Sequence, residues 1–162
     1  MIKLMRLDER FIHGQVAFAW TNSLGANCIF IANDEISKDK FRQISLKIAV
    51  PAGVKFVVKS VDEAKKILNE DKIKKYKVFL IVNNTSDALE LAKSCDEIKQ
   101  LNLGNMKLTE GRKSITNSIC VSEEDINNIK EMESLGVEVE CRAVPTDKKL
   151  RAIDLIKKVG KK

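Results

Sequence analysis

The 162-residue sequence predicts an α/β fold: a single domain spanning 1–162, with a mainly parallel β-sheet covered by helices on both faces. Short apolar, β-branched runs alternate with longer stretches of period-3.6 apolar spacing along the whole chain, and that alternation is the pattern of parallel sheets. Runs such as "VFLIV" are apolar on both sides, as strands must be when helices pack above and below them. Pro51, Pro145, Gly25, Gly53 and Gly136 fall where elements should end or the chain should turn.

Taken in order, residues 2–8 ("IKLMRLD") read as the first strand, and 13–24 as a helix with Val16, Trp20 and Leu24 on one stripe. Residues 26–34 ("ANCIFIAND") are the second strand, and 39–50 a helix whose apolar face is Phe41, Ile44 and Ile48. A strand at 54–60 leads through Ser60, read as an N-cap before an acidic first turn, into a helix at 61–73. The apolar strand 76–83 is followed by a short helix at 87–93, with Ser86-Asp87 as its cap. Strands at 97–104 and 113–121 precede a helix at 123–135 carrying Ile126, Ile129, Met132 and Leu135. Ser122 caps that helix, with Asp125 in the capping-box position. A strand at 137–144 and a helix at 148–159 with Leu150, Ile153, Leu155 and Ile156 complete the chain.

Composition narrows the function classes. Hydrophobic residues make up 44% and charged residues 32%, values of a soluble globular protein, and a chain of this length buries a proper core without staples. No apolar run is long enough to span a bilayer, and "MIKLMRLDER" lacks a signal-peptide core, so a cytoplasmic protein is expected. Cys28, Cys95, Cys120 and Cys141 are far apart, with no C-x-x-C, and read as buried free thiols rather than a metal or redox site. The net charge of +6, partly carried by the tail "KKVGKK", is not matched by stacking aromatics, which are only 5%. No nucleic acid is therefore expected as a partner.

Neither G-x-G-x-x-G, G-x-x-x-x-G-K-[ST] nor G-x-S-x-G occurs, which removes the main support for nucleotide-binding and hydrolase readings. What remains is "LDERFIHGQV" (7–16), holding the only histidine. The first strand delivers it to the carboxyl edge of the sheet, where ligands of such folds bind. His13 lies at the start of a helix, whose free N–H groups and dipole attract an anion. Arg10 adds a forked, permanently charged donor suited to phosphate oxygens. Asp8 and Glu9 are placed to orient the loop or an imidazole N–H. A nucleophilic nitrogen, an anion nest and an arginine are what phosphoryl transfer requires. Spacing alone leaves a second reading open, in which His13 is a capping or solvent-exposed residue and Arg10 an ordinary surface charge.

"RLDERFIHGQVAFAW" resembles the active-site segment of the IIB components of the mannose/fructose/sorbose family of the sugar phosphotransferase system. The resemblance is complete from Arg6 to Val16 and continues through "IFIANDEIS", "NLGNMKLTEGRKSITNSICVSEED" and "VECRAVPTDKK", essentially the full length. It implies that His13 accepts a phosphoryl group on Nδ1 from a phosphorylated IIA partner. The group then passes to a sugar moving through the membrane components IIC and IID. Arg10 would stabilise the phosphoryl group, while Arg6, Asp8, Gly14 and Gln15 shape the loop and amide nest, and Arg142 serves the onward transfer. The resemblance implies no cofactor and no metal, a IIA partner bound in trans, peripheral association with the membrane complex, and leaves a homodimer open. A catalytically inactive regulatory or binding module on the same fold is the alternative. Many family members carry two glycines where this chain has Gly104-Asn105, so the loop beside His13 is expected to differ through the lesser ease with which asparagine takes a left-handed backbone. Lys107, Arg112 and Lys113 are candidate docking charges for IIA, or a solvated basic turn.

Overall fold

Apolar side chains on both faces of several short runs force a sheet between two helical layers, and a computed structural model describing residues 1–160 has this architecture. In chain order the elements are β1 (Ile2–Asp8), α1 (Gly14–Leu24), β2 (Cys28–Ala32), α2 (Asp34–Ser37), α3 (Lys40–Lys47), β3 (Lys55–Lys59) and α4 (Val61–Ile67). A 3-10 turn (Asp71–Lys75) leads to β4 (Val78–Val82), α5 (Thr85–Ser94), β5 (Gln100–Asn105), β6 (Lys113–Ser114) and β7 (Cys120–Val121). The chain continues through α6 (Glu123–Ser134), β8 (Glu138–Cys141), β9 (Leu150–Arg151) and α7 (Ala152–Gly160). The last two lysines of the basic tail lie outside the described residues.

The main sheet has seven strands in the order β3-β2-β4-β1-β5-β8-β9. Every pairing is parallel except the terminal β8–β9 contact. The chain steps from β1 over to β2, on to β3, returns as β4 into the gap, and then crosses to β5 on the other side of β1. The strand order thus reverses at β1, and a ligand crevice is expected at its carboxyl end.

The two layers have separate cores. Met5, Leu7, Phe30, Leu80 and Leu101 point to one face and pack beneath α4–α6, where Ala64, Leu91 and Ile129 are buried. Leu4, Ile29, Ile31, Phe79 and Ile81 point to the other face and pack under α1, against Ala17 and Trp20. Successive strand residues supply opposite layers, which is why β4 has no exposed residue.

Several expected boundaries shift, each for a local reason. The helix expected at 87–93 begins at Thr85, because Asn84, not Ser86, caps it by accepting the Asp87 N–H at 2.8 Å. The Ser86 hydroxyl instead donates to Glu124. The strand expected at 113–121 is broken: Thr116 Oγ1 accepts the N–H groups of Ser118 and Ile119, closing a turn and leaving only the short β6–β7 hairpin. Leu150–Arg151 pairs with β8 before the last helix starts at Ala152. The helix expected to run through 61–73 stops at Ile67. Asn33 caps the short α2, which the sequence reading missed. The stripe of Phe41 and Ile44 on α3 and Ile48 at its C-cap faces solvent, at 81%, 67% and 83% exposure, and not the sheet.

Candidate functional site

The segment after β1 is bent by a turn in which the Phe11 N–H donates to the Asp8 carbonyl at 2.9 Å. Phe11 holds a φ of 61°, the only positive value outside glycine among the described residues, and its ring is buried. A left-handed phenylalanine costs about 1–2 kcal/mol, offset here by burial of its ring. The bend carries His13, in extended conformation, to the N-cap of α1. Gly14 follows with a φ of 47° and open space around its Cα, so backbone conformation rather than crowding calls for glycine. The His13 side chain caps nothing, and the N–H groups of Gly14, Gln15 and Val16 in the first turn of α1 have no partner among the described residues.

Asp8 organises the centre. It is wholly buried, and its Oδ2 accepts from His13 Nε2 at 3.1 Å and from Arg6 Nη2 at 3.0 Å. Its Oδ1 accepts the Arg10 backbone N–H at 2.9 Å. With Nε2 donating to a carboxylate, the neutral imidazole presents a lone pair on Nδ1. The His13 side chain is 26% exposed and opens on a cleft of about 580 Å³, which Arg6, Gly104, Asn105, Lys107, Asn117 and Ser118 help to line.

Behind the cleft lies a row of buried polar groups. Arg6 on β1 is in register with Asn102 on β5, and Asn102 with Glu140 on β8. Arg6 Nη1 donates to Asn102 Oδ1 at 2.6 Å and to the Arg142 carbonyl at 3.2 Å. Asn102 Nδ2 donates to Glu140 Oε1 at 3.1 Å. Glu140 in turn receives Arg142 through Nε at 3.0 Å and Nη2 at 2.9 Å. The Trp20 ring centre lies 5.3 Å from the Arg6 guanidinium and 5.1 Å from that of Arg142, while its Nε1–H donates to the Ala143 carbonyl at 3.0 Å. Burial pulls the Arg6 guanidinium below its ordinary pKa, and the adjacent Asp8 carboxylate opposes that. No buried side-chain nitrogen or oxygen among the described residues is left without a hydrogen-bond partner.

The site residues expected from sequence divide into groups. His13, Asp8 and Arg6 are joined directly, and Arg142 is linked to them through its carbonyl and Glu140. Arg142 lines an adjoining cleft of about 420 Å³ with Asn117, Ser118, Asp147 and Lys148. Arg10 joins by its backbone only; its guanidinium is exposed and makes no ion pair among the described residues. Gly14 and Gln15 are exposed at the start of α1. Asn102 and Glu140 were missed, and Gly104 was read only as part of the loop beside His13. An arginine, an asparagine and a glutamate at core-facing positions of apolar strands were the available signal. A Cβ on Gly104 would collide with the Arg6 guanidinium, so this glycine is fixed by close approach.

Two expectations need correction. Asn105 does not take a left-handed backbone; it extends β5, faces Asp8 in the ladder and accepts the Glu9 N–H at 3.1 Å. Any residue can adopt that conformation, so asparagine imposes no distortion here. Arg112 is not a free docking charge. It pairs with Glu9 at 2.7 Å, donates to the Lys107 carbonyl and approaches Asp125 at 3.6 Å, while Glu9 also accepts the Lys107 N–H. Glu9 and Arg112 thereby tie the His13 loop to the wall of the cleft. All four cysteines are buried and free, as expected. No group of three or more histidine, cysteine, aspartate or glutamate side chains among the described residues is arranged to hold a metal ion.

The mannose-specific EIIAB component of the phosphotransferase system (PTS) of Escherichia coli K12 is 35% identical over 161 residues, covering 99% of this chain and 50% of that protein. The chain therefore spans about half the length of that relative. The sorbose-specific EIIB component of Klebsiella pneumoniae is 32% identical over 155 residues, covering 96% of this chain and 94% of that protein. The crystal structure of the IIBSor domain of the K. pneumoniae sorbose permease superposes with a TM-score of 0.93 at 32% identity, covering 98% and 97% of the two chains. The family model for the PTS sorbose subfamily IIB component matches residues 2–162, and the chain belongs to that family.

Proposed function

We propose that the chain is a phosphohistidine carrier: it accepts a phosphoryl group on His13 from a phosphorylated IIA partner and passes it to a sugar taken up through the IIC and IID membrane components. The observation that carries this reading is the His13 Nε2–Asp8 hydrogen bond at 3.1 Å, which leaves Nδ1 as the nucleophile. The Nδ1 lone pair attacks phosphorus as the bond from phosphorus to the IIA donor breaks, and the phosphorylated ring, with Nε2–H held by Asp8, keeps its orientation. The unpaired Arg10 guanidinium and the free N–H groups at the start of α1 meet the phosphoryl oxygens. Arg142, fixed by Glu140 on the neighbouring cleft, serves the onward transfer to the sugar hydroxyl.

Incubation with phosphoenolpyruvate and the upstream carriers, including a IIA protein, should label the chain. The label should be acid-labile, alkali-stable and assigned to Nδ1 by 31P NMR, and His13→Gln should abolish it. Alkali-stable label persisting in His13→Gln would overturn the proposal. A folded wild-type chain that takes no label from a competent IIA donor would favour the inactive binding module.

A further inference from the structure

We propose that α3 is a lipid-contact element that seats this protein on an anionic membrane surface. The proposal rests on side chains that do not line the His13 cleft and stands apart from the phosphocarrier reading.

α3 buries none of its residues fully. Leu46 packs against the core under α1, and Gln43 Nε2 donates to the Ile36 carbonyl at 2.8 Å, which fixes the helix's orientation. That orientation turns Phe41, Ile44 and Ile48 outward at 81%, 67% and 83% exposure. At about 100° per residue these three positions fall within a sector of roughly 60°. Ile44 continues into a groove of about 260 Å³ whose floor includes Phe56 and Val58 of the edge strand β3. Three large apolar side chains so exposed on one stripe call for a partner.

Charge selects the partner. On the same wheel, Lys40 and Lys47 flank the stripe on one side and Arg42 on the other, with Lys38 just ahead of the helix. All four are exposed, and none of their side chains makes an ion pair or hydrogen bond among the described residues. α3 itself contains no acidic residue, and the Asp39 carboxylate before it is engaged by the Arg42 N–H. An apolar stripe with unpaired cations on both sides, Lys40 and Lys47 on one and Arg42 on the other, matches a bilayer interface, where phosphates meet the cations while the apolar side chains enter the acyl boundary. A second copy of this chain packed on the same face would oppose cations to cations. α2, which precedes α3, lies at the carboxyl-end edge of the sheet, the edge that also carries the His13 cleft.

The full chain should cosediment with vesicles of phosphatidylcholine containing roughly one-third phosphatidylglycerol about 10-fold more than with phosphatidylcholine alone, and salt near 1 M should release it. The variant Phe41→Ser/Ile44→Ser/Ile48→Ser should lose that binding about 10-fold with its circular dichroism unchanged. Lys40→Glu/Lys47→Glu, which leaves the apolar stripe intact, should lose it too, whereas His13→Gln should bind as the wild type does. Failure of the folded wild type to bind anionic vesicles would overturn the proposal. So would binding unchanged in the triple serine variant, a solution dimer abolished by that variant without vesicle binding, or capture only by vesicles that contain a membrane protein.

Discussion

Replacing Asp8 by asparagine tests the centre of the site, because three donors converge on a carboxylate with no exposure. An asparagine offers one acceptor oxygen and one NH2. If the oxygen faces Arg6 and His13, the NH2 confronts the Arg10 N–H; if it faces Arg10, the NH2 confronts two donors. Either way Arg6 keeps a buried charge whose countercharge is gone. Breaking a buried ion pair from one side costs about 3–5 kcal/mol. Summing two lost charge-assisted hydrogen bonds gives a similar figure, about 3–6 kcal/mol. For a chain of this size that is a fall of roughly 6–20 °C in the midpoint of thermal unfolding. Circular dichroism melts and urea titrations of wild type and Asp8→Asn measure it.

The companion variant Arg6→Met/Asp8→Leu removes both charges and should recover the part of the loss that comes from the uncompensated charge, though not the part from Asn102, the Arg142 carbonyl and the Arg10 N–H, which lose their partners. It should not recover phosphoryl acceptance: His13 Nε2–H has lost the acceptor that selects its tautomer, and the loss should reach about 10²-fold or more. Stability and activity thus separate. A loss below about 1 kcal/mol in Asp8→Asn, the range of a solvent-screened surface pair, would refute the reasoning.

Other consequences are more direct. Gly104→Ala should push the Arg6 guanidinium off Asn102 and the Arg142 carbonyl at a cost of about 2–4 kcal/mol in urea unfolding. Asn105→Gly, at a position with no left-handed backbone, should lose about 0.5–1 kcal/mol in the same measurement. Arg112→Gln should destabilise by about 1.5–3 kcal/mol through loss of Glu9, an effect a free docking charge would not have. Arg10→Gln should leave stability within about 0.5 kcal/mol, by urea unfolding, while slowing His13 labelling about 10²–10³-fold. Burial and the neighbouring Glu140 carboxylate push the Cys141 thiol up to about 12, so mass spectrometry should find it unmodified after iodoacetamide treatment of the native protein at neutral pH.

The layered fold and the place of His13 were legible because both are local. Apolar runs fix which stretches become strands, and a strand followed by a helix places the intervening loop at the carboxyl edge. Strand order was not legible, since nothing in residues 1–32 says that β4 will later enter between β1 and β2. The buried row was hidden for the same reason: Arg6, Asn102 and Glu140 become neighbours only through parallel register across three strands. Short-range side-chain bonds hid other features. Thr116 breaks an apparent strand, and Asn84 outcompetes Ser86 as a cap. At α3 the period was right but its direction was not, because one leucine and one glutamine hydrogen bond, not the larger apolar stripe, set which side faces the sheet.

The charges around His13 separate into two kinds, and the separation assigns them work. Arg6 is matched by Asp8 and Arg142 by Glu140, so the row behind the cleft is internally balanced before any ligand arrives. Balanced, desolvated pairs are costly to move, and they hold His13, Gly104 and the Ala143 segment in fixed relation. On the proposed reading the arriving phosphoryl group adds about two negative charges. Arg6, buried against Asp8 and Asn102, can meet it only by leaving them, whereas Arg142, partly exposed on the adjoining cleft, keeps Nη1 free of Glu140. Arg10, exposed and unpaired, can meet it with no such cost, and so can the free N–H groups of α1. On that reading the buried Arg6–Asp8 pair positions and the exposed Arg10 answers the substrate; the contrasting stabilities expected for Asp8→Asn and Arg10→Gln follow from that division.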